Sequence, residues 1–188
     1  MIAALKSSGL DKFSRAEICA FHGRKIIEGV AFGCLVALEN GIKHVPRDAQ
    51  GQWSADSILS SLESKKLNVF PSPSQIRLPT GEEKASHGEL KATVEGIPER
   101  RISREVLKSI YRELHKWLHE INPYVGTDRE NFLQKHEEGL WDDLQRMELF
   151  IERHTISING EMFFCVLRDK NDGRTKVVLL SKIASLFP

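Results

Sequence analysis

Cysteine is scarce and unclustered in this chain. Its three residues, Cys19, Cys34 and Cys165, are odd in number and include no C-x-x-C pair. That spacing excludes a disulfide framework and a cysteine-built zinc site, and it reads as buried thiols of a reducing compartment. A surplus of either charge is also missing. Lys and Arg number 27 against 26 Asp and Glu, for a net charge of +1, which argues against a scaffold that binds nucleic acid mainly by neutralising phosphates. A small local basic cleft remains compatible with that balance. Long apolar runs are absent. The best, Gly29 to Leu38 between Glu28 and Glu39, is about ten residues, whereas a membrane-spanning helix takes roughly 20. Met1 to Leu10 lacks the charged start and apolar run of a secretory signal. No internal repeat or low-complexity tract is visible. These absences predict a cytoplasmic chain without membrane association. At 188 residues, 40% hydrophobic and 28% charged, it suits one main domain with an appendage.

The stretch that organises the rest is Ser103 to Tyr124. Ser103 is a good N-cap, since its hydroxyl can accept a backbone N–H that a helix start leaves unpaired, and Pro123 predicts the stop. Leu107, Ile110, Leu114, Leu118 and Ile121 recur at helical steps and form a core face. Arg104, Lys108, Arg112, His115 and His119 recur with the same steps, within an arc of roughly 80° beside that face, with Tyr111 at the seam. A polar stripe on an amphipathic helix is ordinary. Two imidazoles and a guanidinium aligned along the apolar boundary are a candidate for chemistry.

A first long helix is predicted over 14–40, from Ser14 as N-cap to Gly41 as the left-handed cap residue. Its second half is apolar nearly all round, as in a buried helix. Gly29 and Gly33 lie on one face and read as a close-approach surface for another helix, while Arg24 and Glu28 read first as a structural ion pair, because charges in a core need partners. A shorter helix follows from Ser54 or Asp56 to about Leu67. Residues 68–101 hold Pro71, Pro73, Pro79 and Pro98, which rules out a long helix; the segment is either mobile or carries short strands such as Gln75 to Leu78 and Leu90 to Val94. Thr127 and Glu130 have capping-box spacing and open a fourth helix to about Glu152. The period then changes: His154 to Ile158, a turn at Asn159 and Gly160, Met162 to Leu167, a turn at Asn171 to Gly173, and Lys176 to Leu180 predict a three-stranded antiparallel meander. The expected fold is mainly α, with a helical domain over 1–152 interrupted by an irregular insert at 68–101, and the meander over 153–188 packed on it.

His115 and His119 superficially suggest metal ligands four apart, but Lys116 stands where a zinc hydrolase of that kind has its glutamate base, so no metal site is assigned. Arg112 and His119 lie two helical turns apart, about 20° off register. Such a pair can do phosphoryl chemistry: an imidazole moves the proton of a ribose 2′-hydroxyl while a guanidinium holds the phosphate and its developing charge. Equally, His119 can serve as a cationic group at the helix C-terminus, where the dipole favours it. His115 reads as an orienting group or a second proton carrier. Lys108, Asn122 and Tyr124 are candidate binding residues, although an Asn-Pro turn explains Asn122 as well. Trp117 reads as an interface anchor or as plain packing against the fourth helix. No cofactor signal is present.

The segment R-E-L-H-K-W-L-H, from Arg112 to His119, resembles the signature of the HEPN superfamily, and H-E-I-N-P-Y, from His119 to Tyr124, is similar to the helix end of bacterial members. The resemblance covers about a dozen residues in motif and roughly the first 150 in helical architecture. It implies a helical bundle acting as a metal-independent endoribonuclease, with Arg112 and His119 of two subunits converging at a homodimer interface. It further implies RNA as substrate, a toxin or phage-defence setting, and a cognate antitoxin protein as partner. Glu113 departs from the small polar residue often found after the family arginine. Some members are non-catalytic binding or assembly modules, and that is the alternative expectation for this chain.

Overall fold

The computed structural model describes residues 9–39, 45, 47–67, 69–87, 91–119, 128–158 and 160–180. By compactness the chain forms two units: one of Met1–Gly33, Pro46–Leu67 and Ile102–Met147, the other of Cys34–Val45, Asn68–Arg101 and Glu148–Pro188.

The first unit is helical. Helix α1, Lys12–Glu39, begins on Asp11 and not on Ser14: the Asp11 carboxylate accepts the Ser14 N–H at 3.0 Å and the Ser14 hydroxyl at 2.6 Å. The predicted cap Gly41 lies outside the described residues. Helix α2, Ala55–Ser64, buries Ile58, Leu59 and Leu62. The organising stretch forms α4, Arg104–Lys116, and Ser103 caps it as expected, its side chain accepting the Val106 N–H at 3.3 Å. Its stop comes earlier than predicted. Trp117 and Leu118 turn tightly, their N–H groups reaching back to the Leu114 and His115 carbonyls at 3.3 and 3.1 Å, so the helical register ends before His119; Pro123 lies outside the described residues. Helix α5, Arg129–Glu152, opens on Asp128, whose side chain accepts the Asn131 N–H at 2.8 Å. Thr127 falls outside the described residues.

The core of this unit joins Ala16, Cys19, Ala20 and Ile27 of α1 with Leu107, Ile110 and Leu114 of α4 and Leu140, Leu144 and Met147 of α5. The helices approach most closely at Gly23, where an added Cβ would stand 2.6 Å from Leu144 Cδ2 and 3.1 Å from Leu114 Cδ1. Gly29 and Gly33 do not serve this purpose, since among the described residues no atom lies within 4 Å of where their Cβ would stand. Trp117 is packing: it is 3% exposed and meets Phe132 edge-on at 4.9 Å and Phe13 at 5.9 Å.

The second unit corrects the expected fold class. It holds a five-stranded antiparallel sheet in the order β2-β1-β3-β4-β5, where β1 is Ser72–Arg77, β2 Thr93–Gly96, β3 Arg153–Ile158, β4 Glu161–Val166 and β5 Lys176–Leu180. The fold is therefore mixed α and β, not a mainly α bundle with a small three-stranded C-terminal meander. Two of the strands come from 68–101, the segment whose choice between mobile loop and short strands the sequence left open. Pro73 fits because it stands at the end of the β1–β2 ladder, which starts with Ser74 opposite Gly96, and its carbonyl accepts the Ile97 N–H at 2.9 Å. Pairing of Ser72 with Thr155 joins this segment to the C-terminal strands. Between β1 and β2 lies a short helix, α3, Gly81–His87, which the sequence reading omitted. Thr80 and Glu83 form its capping box, with the Thr80 N–H on Glu83 Oε2 at 2.7 Å and the Glu83 N–H on Thr80 Oγ1 at 3.3 Å. Arg77 grips the same carboxylate two-pronged at 2.8 and 2.7 Å, which holds Glu83 down at a pKa of about 2.

Candidate active site

The two histidines come together and the expected arginine does not join them. His119 Nε2 lies 2.7 Å from His115 Nε2, with the rings perpendicular and 4.2 Å apart. Arg112 extends instead to α2, where its Nη2 contacts both carboxylate oxygens of Asp56 at 2.8 and 3.0 Å. Lys108 also faces α2, bound to Glu63 at 2.8 Å and Ser60 at 3.4 Å. The predicted stripe thus splits: Lys108 and Arg112 reach carboxylates on α2, Arg104 donates to the Leu67 carbonyl at 2.6 Å, and the imidazoles turn the other way. Asn122 and Tyr124 lie outside the described residues.

A different arginine meets the histidines. Arg24 of α1 places Nη1 2.5 Å from His115 Nδ1. Its Nε donates to Tyr111 Oη at 3.1 Å and to Glu28 Oε1 at 3.2 Å, and its guanidinium carbon stands 4.8 Å over the Tyr111 ring. Tyr111 in turn donates to Glu28 Oε1 at 3.2 Å, while Lys25 donates to Oε2 at 2.8 Å. Burial pushes the Glu28 pKa up, but the Lys25 contact, Tyr111 and Arg24 together outweigh it and hold the carboxyl below its ordinary value. Glu28 is therefore an ionised anchor that fixes the guanidinium. The pair read from sequence as a structural bridge is structural, and it also aims Arg24 at the imidazoles. Its signal was legible in outline: charges four apart inside an otherwise apolar helix.

Donor counting fixes the protons. A guanidinium only donates, so His115 Nδ1 accepts from Arg24, His115 carries its proton on Nε2, and that N–H donates to His119 Nε2. Burial, then the positive charge of Arg24, then His119 hold the His115 pKa below its ordinary value, which keeps this imidazole neutral near pH 7. Both histidines are exposed. The ensemble sets a fixed cation, the His115 N–H and the His119 lone pair in one hydrogen-bonded line, the last two satisfying each other. Among the described residues no three His, Cys, Asp or Glu side chains converge as metal ligands would. A cavity of about 110 Å³ between α4 and α5, lined by Trp117, His136 and Asp143 among others, has room for a few waters. Among the described residues no helix is long and apolar enough to cross a membrane. No family model, curated protein or solved structure matches this chain.

Proposed function

We propose that this chain is a HEPN-like endoribonuclease whose working group is Arg24, His115 and His119, cleaving RNA by transesterification without a metal. The observation that carries the reading is the unbroken line from guanidinium to imidazole to imidazole on an exposed helix end, anchored by ionised Glu28 and Tyr111. In the reaction the ribose 2′-oxygen attacks phosphorus, and its proton passes to His119 Nε2. The bond from phosphorus to the 5′-oxygen breaks, the leaving oxygen takes a proton from water, His119 gives its own back to solvent, and a 2′,3′-cyclic phosphate remains. Arg24 binds the phosphate and its growing charge, and His115 orients the pair. Proton movement of this kind contributes about 10²- to 10⁴-fold to rate.

This reading moves the phosphate-binding role from Arg112 to Arg24. The group is then complete within one chain, so cleavage does not depend on the homodimer that the resemblance implies. In a toxin or defence setting, with a cognate antitoxin as partner, expression of the chain arrests growth and His119→Ala relieves the arrest. The direct test is a mixed RNA pool incubated with purified protein in EDTA. Cleavage leaving 2′,3′-cyclic ends, abolished by His119→Ala at unchanged melting temperature, supports the enzyme. A folded native protein that binds the pool and leaves it intact overturns it in favour of a non-catalytic binding module. One observation favours that second reading: in the resting site each Nε2 is already occupied by the other ring, so substrate must part them before His119 can act as base.

A further inference from the structure

In the second unit, the strand registers bring Ile76 of β1, Arg153 of β3, and Phe164 and Val166 of β4 onto one face of the sheet. The turn after β4 adds Asp169, Lys170 and Asn171, and together these seven residues line an open cavity of about 320 Å³. Ligand pockets begin near this size, at about 300 Å³. Its floor is unusual in charge. Arg153 Nε is fully buried, and among the described residues it has no hydrogen-bond partner. Buried polar groups almost always find a partner, so this guanidinium keeps donor capacity that the described residues leave unused. The carboxylate in the lining does not supply that partner. Asp169 is already held by the Asn171 backbone N–H at 2.9 Å and by Lys176 Nζ at 3.1 Å, and those contacts keep it ionised. Lys170 is exposed at the rim and adds a second positive charge. The remaining wall, Ile76, Phe164 and Val166, is apolar.

We infer that this cavity binds a small organic oxyanion, its phosphate or carboxylate group on Arg153 and Lys170 and its apolar body against Ile76, Phe164 and Val166. A guanidinium offers paired N–H groups that match either oxyanion, and an apolar wall beside it selects against the bare inorganic ion. The site is independent of the histidine group, which belongs to the other unit.

Titration calorimetry on the full chain tests this with phenyl phosphate, benzoate and inorganic phosphate as probes. At least one aromatic probe is expected to bind at least about tenfold more tightly than inorganic phosphate, and the tighter of the two identifies the oxyanion. Arg153→Gln should weaken it about tenfold or more, and Lys170→Ala, on an exposed turn where folding is not at stake, about threefold or more. His119→Ala should leave it unchanged. The inference is overturned if neither aromatic probe saturates below about 10 mM, or if Arg153→Gln and Lys170→Ala both bind as the native chain does.

Discussion

His115 is the residue on which the proposed chemistry turns. Its neighbours act on it in one direction: burial first, then Arg24, then His119 disfavour the imidazolium and lower its pKa from the ordinary 6.5. The unfolded chain therefore takes up this proton first as pH falls. The stability that His115 contributes is fully present above pH 6.5 and is lost as pH drops through its lower folded value. In an NMR titration the His115 midpoint is expected below that of a free imidazole, with Nε2 protonated at neutral pH, and Arg24→Gln should move the midpoint upward. A midpoint that stays put on that change would mean the short contact to Arg24 carries no electrostatic weight. Arg112→Gln, by contrast, should change stability by no more than about 1 kcal/mol, because its bridge to Asp56 is a surface pair. At this scale the sequence showed which residues had chemistry and not which way they pointed. Helical spacing placed Arg112 with His119, but its side chain pairs with Asp56, which is on a helix that no spacing rule connects to α4.

The elements were more legible, because their starts are local. Ser103 and its hydroxyl cap on α4 followed from residue type alone, and Ser103→Ala is expected to cost about 1 kcal/mol in chemical denaturation. Where two capping residues stood close together, as Asp11 with Ser14, the earlier one won, since its carboxylate takes both the backbone N–H and the hydroxyl of the later. The glycines were misread because spacing shows a smooth face without showing what covers it. Gly23 is the close approach, and an added methyl there meets Leu144 and Leu114. Gly29 and Gly33 stand in open space, so Gly29→Ala and Gly33→Ala should each stabilise by up to about 1 kcal/mol through helix propensity, while Gly23→Ala gains less or loses. Melting temperatures of the three variants decide this. A fall for Gly29→Ala would mean that something packs on that face.

Over the whole chain, the part hardest to read was the sheet. The three C-terminal strands carry local turn signals, with Gly160 and Gly173 in the left-handed region at φ of +79° and +69°. Nothing local announces that Ser72 pairs with Thr155, more than eighty residues away in sequence, and a proline-rich segment invites a loop reading. The consequence is testable by truncation. Removal of 153–188 would strip β1 of its β3 neighbour and leave a two-stranded ribbon, which is marginal in water. The shortened chain is expected to lose β structure in circular dichroism and to aggregate, whereas a separable C-terminal appendage would leave a soluble, folded remainder.

The assignment of Arg24 in place of Arg112 is tested most directly by measuring single-turnover RNA cleavage in EDTA for the Arg24→Gln and Arg112→Gln proteins side by side. Loss of a preorganised donor to the reacting phosphate costs about 10²- to 10³-fold. The geometry predicts a loss of that size for Arg24→Gln and a rate within about threefold of native for Arg112→Gln. The reverse order, with Arg112→Gln inactive and Arg24→Gln near native, would contradict the site described above.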